Sequence, residues 1–544
     1  MQILRFAQND MQFKGLRSSA LAATSLRRTV LKLALSLLLL GWLHPQFAWT
    51  ADVRPPARSR RPLAQRIEAI LRSSDAHRGH WGIEVVRIKD GKVLYARNAE
   101  QLFLPASNMK LFTTAAALEK LGPDFRFRTT VESDAAPDAA GRVGDLFLVG
   151  RGDPNLGHRV IPGRQQPANP EPAEAIFQEL AGKVAARGVR EVGGRLVADD
   201  SHFLYEPYSH GWEEEDLVFG YAAPVTALAF NDNALLIRFF PGAKPGEPGR
   251  VALEPFPDYY QLNNRLETAP AGTHPQIFVE RAPGSDQLDV WGEIAVDAET
   301  QEDSVSLANP PQLAGELFRR ALEARRIVVR GRVEVRHQTR SEAATGSDAP
   351  APARVVLAEH LSEPLARDIE IINKYSHNLH TEMLLRTLGR ELKNYGSLTV
   401  GLQALEEFAA TAGIEPNEAV FTDGSGLSRH TLVTPHALVK LLRYMAASPR
   451  FDAFLTSLPV AGEDGTLAER LQGTRAQGRI RAKTGTMENV NALSGYMQLP
   501  SGERLAFSII GNSHPMKSAA GREIVDRITL EIFRQFAGRQ RKAK

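Results

Sequence analysis

The chain has 544 residues, with 66 Lys and Arg against 63 Asp and Glu, 43% apolar residues and no cysteine. The apolar fraction excludes a disordered chain, and the length allows about two to four domains. The missing cysteines exclude disulfide frameworks, thiol nucleophiles, Cys-ligated zinc and iron–sulfur clusters, and a lipid-modified N-terminal Cys. A net charge of +3 shows no pull toward nucleic acid.

The first 51 residues carry the charge asymmetry: Arg5, Lys14, Arg17, Arg27, Arg28 and Lys32 against Asp10 alone. Arg27, Arg28 and Lys32 precede the apolar run Leu33 to Leu43, the pattern of an export signal. The run is short of the roughly 20 residues that span a bilayer. Cleavage is expected between Ala48 and Asp52, with an uncleaved N-terminal anchor as the other reading. Residues 52–62 read as a linker, and a helix follows over 63–73. Asp90-Gly91 is a strong hairpin signal between strands at 81–87 and 92–96. Leu111, Ala115, Leu118 and Leu121 recur at helical spacing and predict a helix over 107–121, stopped by Gly122-Pro123.

From about Phe125 to Leu357 the texture changes to short strand-like runs (RFRTTVES, DLFLVGRG, GRLVADD, ALLIRFF, QLDVWGEI, RVEVRH) separated by Gly, Pro and Asp turns. One clear helix interrupts them, over 311–324. Pro162 to Pro172 and Arg340 to Ala353 read as mobile loops. The whole is a mostly-β insertion of two small domains. Helices return after Ser362, over 365–372, 377–389, 398–412 and 435–447. Strands at 482–486, 492–498 and 504–511 and a helix over 519–536 complete the chain, followed by a basic tail.

Three short motifs carry chemistry. Ser107-Asn108-Met109-Lys110 places a hydroxyl and an amine on one face of a helix start. A lysine of lowered pKa can serve as base to such a serine. One Ser-x-x-Lys is expected by chance in a chain of this size, so the motif is weak alone. Lys483-Thr484-Gly485-Thr486 offers an ammonium and two hydroxyls on a strand, suited to holding a carboxylate-terminated peptide laid alongside. Between them, Ser376-His377-Asn378 reads by itself as a helix cap.

The order of these motifs resembles the penicillin-recognising serine acyltransferases. Gly150-Arg151-Gly152-Asp153-Pro154, Asp423-Gly424-Ser425-Gly426-Leu427-Ser428-Arg429 and Gly465-Thr466-Leu467 narrow the resemblance to the class C low-molecular-mass penicillin-binding proteins, which are D-alanyl-D-alanine carboxypeptidases and endopeptidases. It spans essentially residues 60–537. It implies an α+β, penicillin-binding/β-lactamase-like transpeptidase fold: an antiparallel sheet flanked by helices, a helical lobe and two inserted β-rich domains. The boundaries expected are a signal peptide at 1–51, catalytic parts at 55–128 and 360–537, one inserted domain from 129–205 and 296–359, a second from 206–295, and a tail at 538–544.

By the same resemblance Ser107 is the nucleophile, Lys110 its base, and Ser376 the relay of a proton to the leaving amine. Asn378 holds the substrate amide chain, and Lys483, Thr484 and Thr486 hold its carboxylate. The backbone N–H groups of Ser107 and Thr486 form the oxyanion hole. Asp153 and Arg429 are a candidate pair for the free amine and carboxylate of a diaminopimelate side chain. Arg151 departs from the small residue usual before Gly-Asp-Pro. The partners implied are peptidoglycan stem peptides and, as covalent inhibitors, β-lactams, with the protein exported to the periplasm or cell envelope, peripheral membrane or cell-wall association left open, and no nucleic acid. No cofactor and no metal are expected.

Rival classes fare worse. There is no Gly-x-Ser-x-Gly elbow for an α/β-hydrolase and no His-Glu-x-x-His for a zinc hydrolase; His377 and His380 read as an ordinary helix face. A β-lactamase shares the three motifs but needs no large insertion. An idle envelope scaffold would be expected to have lost one of the reactive groups.

Overall fold

In the computed structural model, which describes residues 62–157, 172–282, 284–344 and 353–538, the Asp90-Gly91 turn joins strands His80–Arg87 and Val93–Arg97. The first of these enters a five-stranded antiparallel sheet. Its spatial order is Ile480–Met487, Val490–Gln498, Arg504–Asn512, His80–Arg87, Val93–Arg97. Both faces of the sheet are covered. Ile83, Val85, Leu505, Phe507 and Ile509 pack with Ile67, Leu71, Ile524 and Ile528 of helices Leu63–Arg72 and Ser518–Ala537. Val86, Ala506 and Ile510 face the other way, into a core shared with Leu111, Phe112, Leu441 and Leu442 of helices Lys110–Lys120 and Pro435–Ala447. The strand period of two thus divides one sheet between two cores. Each buried aliphatic side chain contributes about 1.5–3 kcal/mol.

Helices Leu365–Tyr375, Asn378–Lys393 and Leu398–Thr411 form a lobe against Lys110–Lys120. Ser376 ends the first in a left-handed conformation (φ 62°), so the chain turns sharply before Asn378 begins the second. Every residue from Asn378 to Gly389 is buried, because this helix runs between the lobe and the segment that intervenes in sequence. A short helix that the sequence reading lacked, Phe451–Ser457, packs against helix Leu365–Tyr375, with Phe454 in the shared core.

The intervening segment departs from a purely β texture. Its main sheet is mixed, in the order Val333–Gln338, Leu196–Leu204, Leu146–Val149, Arg128–Ser133, Val355–Leu361. Leu146–Val149 and Val333–Gln338 both run parallel to Leu196–Leu204. Parallel neighbours need crossover connections, usually helical, and two helices supply them: the expected one at Pro310–Ala324 and a second, Ala175–Ala186, that the sequence reading missed. Three three-stranded sheets complete the segment. A small one, Val328–Val329, Glu191–Val192 and Arg142–Val143, packs with the two crossover helices, and the other two share a core of Leu235, Ile237, Leu266, Leu288, Val290 and Val305.

The export signal, the linker up to Arg61, the tail from Arg539 and most of the two expected loops lie outside the described residues. Of the second loop, Arg340–Ala344 is instead a short helix, with the Glu342 carboxylate accepting the Thr339 N–H (2.8 Å).

Candidate active site

Ser107 sits on a 3₁₀ turn, Ala106–Met109, that runs directly into helix Lys110–Lys120. The turn is entered through Ala106 in a left-handed conformation (φ 45°), which aims the serine out of the helix start. The Ala106 carbonyl is pressed against Gly426, itself left-handed (φ 76°); a Cβ there would lie 2.0 Å from that oxygen. Gly426→Ala should therefore displace the Ser107 turn and cost about 2 kcal/mol or more of stability. Chemical denaturation together with the rate of β-lactam acylation checks this; unchanged values in both would refute it.

Lys110 is sealed from solvent, and its Nζ donates to Ser107 Oγ (2.8 Å), Asn378 Oδ1 (2.6 Å) and the Ser425 carbonyl (2.7 Å). The Asn378 amide is oriented by its Nδ2, which donates to the Tyr221 carbonyl (2.8 Å). Two of the three partners of Lys110 are pure acceptors. A neutral amine keeps its two N–H bonds on them and turns its lone pair to the only partner with a proton to give, Ser107 Oγ. Burial pulls the Lys110 amine down to about 7, against the upward pull of the Asp423 and Glu382 carboxylates.

Those carboxylates organise the loop beneath. Asp423 accepts from the N–H groups of Gly426 (3.0 Å) and Ser428 (2.8 Å), from Thr431 Oγ1 (2.9 Å) and from Trp212 Nε1 (3.2 Å). The Asp-Gly-Ser-Gly-Leu-Ser run is thus wound around its own first side chain. Glu382 Oε1 takes the N–H groups of Gly424 (2.9 Å) and Ser425 (2.8 Å), and the next peptide, whose Gly426 N–H is held by Asp423, turns the Ser425 carbonyl to Lys110. Its Oε2 takes Ser209 Oγ (2.8 Å) and Arg386 Nη1 (3.2 Å).

On the opposite side, Lys483 donates to Ser376 Oγ and to the Thr484 carbonyl, both at 2.9 Å. Burial, reinforced by the charge of Lys110, holds the Lys483 amine well below its ordinary range. Thr484 Oγ1 meets Thr466 Oγ1 at 2.9 Å. Strand Ile480–Met487 is the edge of its sheet, and Pro459–Ala461 pair only with its first part, through Ala461 N to Ile480 O and Ala482 N to Pro459 O. By the alternation of an antiparallel ladder, the N–H groups of Thr484 and Thr486 face that same edge. A Cβ on Gly485 would lie 2.7 Å from the Pro105 carbonyl, so only glycine lets the strand pass this close to the Ser107 turn.

The structure therefore brings together Ser107, Lys110, Asn378, Ser376, Lys483 and Thr484, with Thr486 two residues along the same edge. It does not join Asp153 to Arg429. Arg429 pairs with Glu213, Nε to Oε1 at 2.6 Å and Nη2 to Oε2 at 3.0 Å. Asp153 is buried, accepts the Asn155 N–H (2.9 Å) and lies 3.8 Å from His360 Nε2; burial pushes its carboxyl up to about 6. Arg151 is committed elsewhere, to Thr130 and Glu132, both at 2.6 Å. Sequence reasoning assigned no role to Glu382, although it stands four residues after Asn378 and so shares its helix face. Glu213 was equally hidden, in the acidic run Glu213-Glu214-Glu215-Asp216.

A family model described as the D-Ala-D-Ala carboxypeptidase 3 (S13) family matches residues 63–532. The D-alanyl-D-alanine carboxypeptidase of Actinomadura sp. (strain R39) is 38% identical over 489 residues, 88% of this chain and 85% of that protein. The D-alanyl-D-alanine carboxypeptidase DacB of Haemophilus influenzae is 25% identical over 78% of this chain and 84% of its own length. The crystal structure of penicillin binding protein 4 from the same organism has the same fold, with a TM-score of 0.73 at 23% identity, over 87% of this chain and 99% of that one. Its complex with a novel β-lactam superposes with a TM-score of 0.67 at 22% identity, over 85% and 98%. The fold is α+β and of the penicillin-binding type, and by the extent of these matches the chain belongs to the D-Ala-D-Ala carboxypeptidase 3 (S13) family.

Proposed function

We propose that the protein hydrolyses the D-Ala-D-Ala ends of peptidoglycan stem peptides through an acyl-enzyme on Ser107. The observation that carries this reading is the placement of Lys110 Nζ between Ser107 Oγ and two pure acceptors. The neutral Lys110 amine takes the hydroxyl proton as Oγ attacks the carbonyl of the penultimate D-Ala. Ser376, linked to Lys483, passes a proton to the departing amine as the peptide bond breaks. Water then attacks the ester, a proton returns to Ser107, and the shortened peptide leaves as a carboxylate. The substrate lies along the open edge of strand Ile480–Met487. Lys483, Thr484 and Thr486 hold its terminal carboxylate, Asn378 holds its amide chain, and the N–H groups of Ser107 and Thr486 receive the oxyanion. Arg429 and Glu213 stand at the rim as a cation and an anion for the charged end of a longer substrate side chain.

The same attack on a β-lactam ring leaves no departing group, which makes such drugs covalent inhibitors. We also propose two inserted domains, 129–205 with 296–359, and 206–295. Two cores support the division, although strand Gln301–Ser306 pairs with Ala234–Phe240 and Leu228 and Phe230 pack in the first core, so the two units meet past both boundaries. The basic and apolar N-terminal pattern supports export to the envelope. No helix among the described residues is long and apolar enough to cross a membrane.

The direct test is mass analysis of D-Ala release from a pentapeptide, beside cleavage of a cross-linked dimer. Release of either product supports the reading. Intact peptides together with steady destruction of penicillin would replace it with a β-lactamase. The base assignment has its own signature. Neutral Lys110 accumulates as pH rises through about 7, so acylation by a chromogenic cephalosporin should climb about tenfold per pH unit below that point and level above it. A flat profile from about pH 5 to about pH 9 would remove Lys110 from the role.

A further inference from the structure

His377 separates Ser376 from Asn378, and His380 stands one turn further along the same helix, the two ring centroids 4.1 Å apart. Both rings turn Nε2 toward one carboxylate, Asp232, which comes from the segment just before strand Ala234–Phe240. His377 Nε2 lies 3.2 Å from Asp232 Oδ2, and His380 Nε2 lies 3.1 Å from Oδ1. The three candidate ligand atoms fall within 4.8 Å of one another.

The surroundings of His380 say what should occupy the space between these atoms. Its ring is fully buried, and its Nδ1 is 2.5 Å from Asp368 Oδ1, an oxygen that also accepts Asn155 Nδ2 (3.0 Å). A carboxylate on Nδ1 keeps the proton there and turns the Nε2 lone pair outward, the pairing that orients metal-bound imidazoles. That lone pair then faces a carboxylate oxygen, an arrangement that needs a cation or a second ring proton between them. The rival is a second proton on the His380 ring, shared between Asp368 and Asp232 with His377 neutral, and a Co²⁺ titration separates the two.

Asp232 is fixed in this position by a strained turn. Asn231, Asp232 and Asn233 are all left-handed (φ 50°, 59° and 52°), and the turn is held by Asn233 Nδ2 to the Pro224 carbonyl and Asn231 Nδ2 to the Ala234 carbonyl, both 2.8 Å. Bonds of about 2.0–2.2 Å to a tetrahedral metal put neighbouring ligand atoms about 3.4 Å apart, close to the two N···O distances here. Asp232 and His377 side chains are each 22% exposed, which leaves a side open for water as a further ligand. The contact of His380 N–H with His377 Nδ1 is long, 3.5 Å, and is given up when that nitrogen carries its proton. Two imidazoles and a carboxylate suit zinc and its neighbours, cobalt and nickel, better than magnesium or calcium.

We propose that His377, His380 and Asp232 bind one divalent cation of the zinc class. Such an ion ties the turn at Asp232 to the junction that carries Ser376 and Asn378. It bonds no substrate atom; its effect is to hold both motif residues in place, and that consequence rests on the function proposed above.

The test uses the tag-free full chain, stripped with a chelator and titrated with Co²⁺. One equivalent should bind with visible ligand-field bands, Zn²⁺ should displace it, and Zn²⁺ should raise the unfolding temperature of the parent. Asp232→Asn and His377→Gln should each weaken Co²⁺ binding by at least about tenfold, while Ser107→Ala should bind as the parent does. Absence of a saturable Co²⁺ spectrum in the parent overturns the site whatever the variants do, and equal titrations in parent and ligand variants overturn it too. A penicillin adduct on a protein that binds no Co²⁺ would leave the enzyme reading standing and remove this one. Stoichiometric Co²⁺ binding without an adduct would do the reverse.

Discussion

Ser107→Ala should show no change in intact mass after exposure to benzylpenicillin, where the parent gains one drug equivalent. D-Ala release should fall by about 10⁴- to 10⁶-fold, the range seen when an activated serine is removed from a catalytic unit. The size of the effect follows from the hydrogen bonds of Lys110. Asn378 Oδ1 and the Ser425 carbonyl occupy its two N–H bonds, so its lone pair has no other proton to take. With alanine in place of the serine, the strand edge and Lys483 still bind substrate but nothing attacks it. Residual turnover would come from water held in the oxyanion site. A full adduct on the variant would mean that another group is acylated and would dismantle the scheme.

The second large effect is expected far from the scissile bond. Glu382→Ala leaves Arg386 buried without its carboxylate and strips the Gly424 and Ser425 N–H groups and the Ser209 hydroxyl of their acceptor. Breaking a buried pair in this way costs about 3–5 kcal/mol. Urea unfolding checks the size, and a loss under about 1 kcal/mol would contradict the buried network. Acylation should fall as well, because the loop that carries the Ser425 carbonyl to Lys110 loses its anchor at Gly424 and Ser425. Glu382→Gln separates the two contributions. It can keep the Ser425 contact but removes a negative charge that favours the Lys110 ammonium, so the acid limb of the acylation profile should move to lower pH.

The readable parts of the molecule were those set by local spacing. Ser107 and Lys110 meet because three residues on a helical turn share a face, and Lys483 through Thr486 lie on a strand whose turn partners are nearby in sequence. The less readable parts depend on chain brought in from far away. Glu382 and Arg386 look like an ordinary surface pair at helical spacing; Ser209 and Glu206, more than 170 residues upstream, bury them. Asp153 and Arg429 each offered a charge, but the choice of Glu213 over Asp153 is made by tertiary packing. Helix Ala175–Ala186 shows Ile176, Phe177, Leu180 and Val184 at helical spacing, yet the short strands around it set the texture of the region. Only the parallel pairing of its flanking strands shows why a helix is required there.

Lys110 also has a meaning for the thermodynamics of the whole chain. An unfolded lysine titrates near 10.5 and this one near 7, so the unfolded state binds the extra proton. Between those two values stability falls as pH falls, and below about 7 the full difference, about 5 kcal/mol, opposes folding. The amine that serves as base is therefore a standing load on the fold. The two cores on either side of the sheet must exceed what folding alone requires by roughly that amount. An apolar residue at Lys110 lifts that load but leaves Asn378 Oδ1 and the Ser425 carbonyl buried without their donor, so the two effects on stability oppose each other.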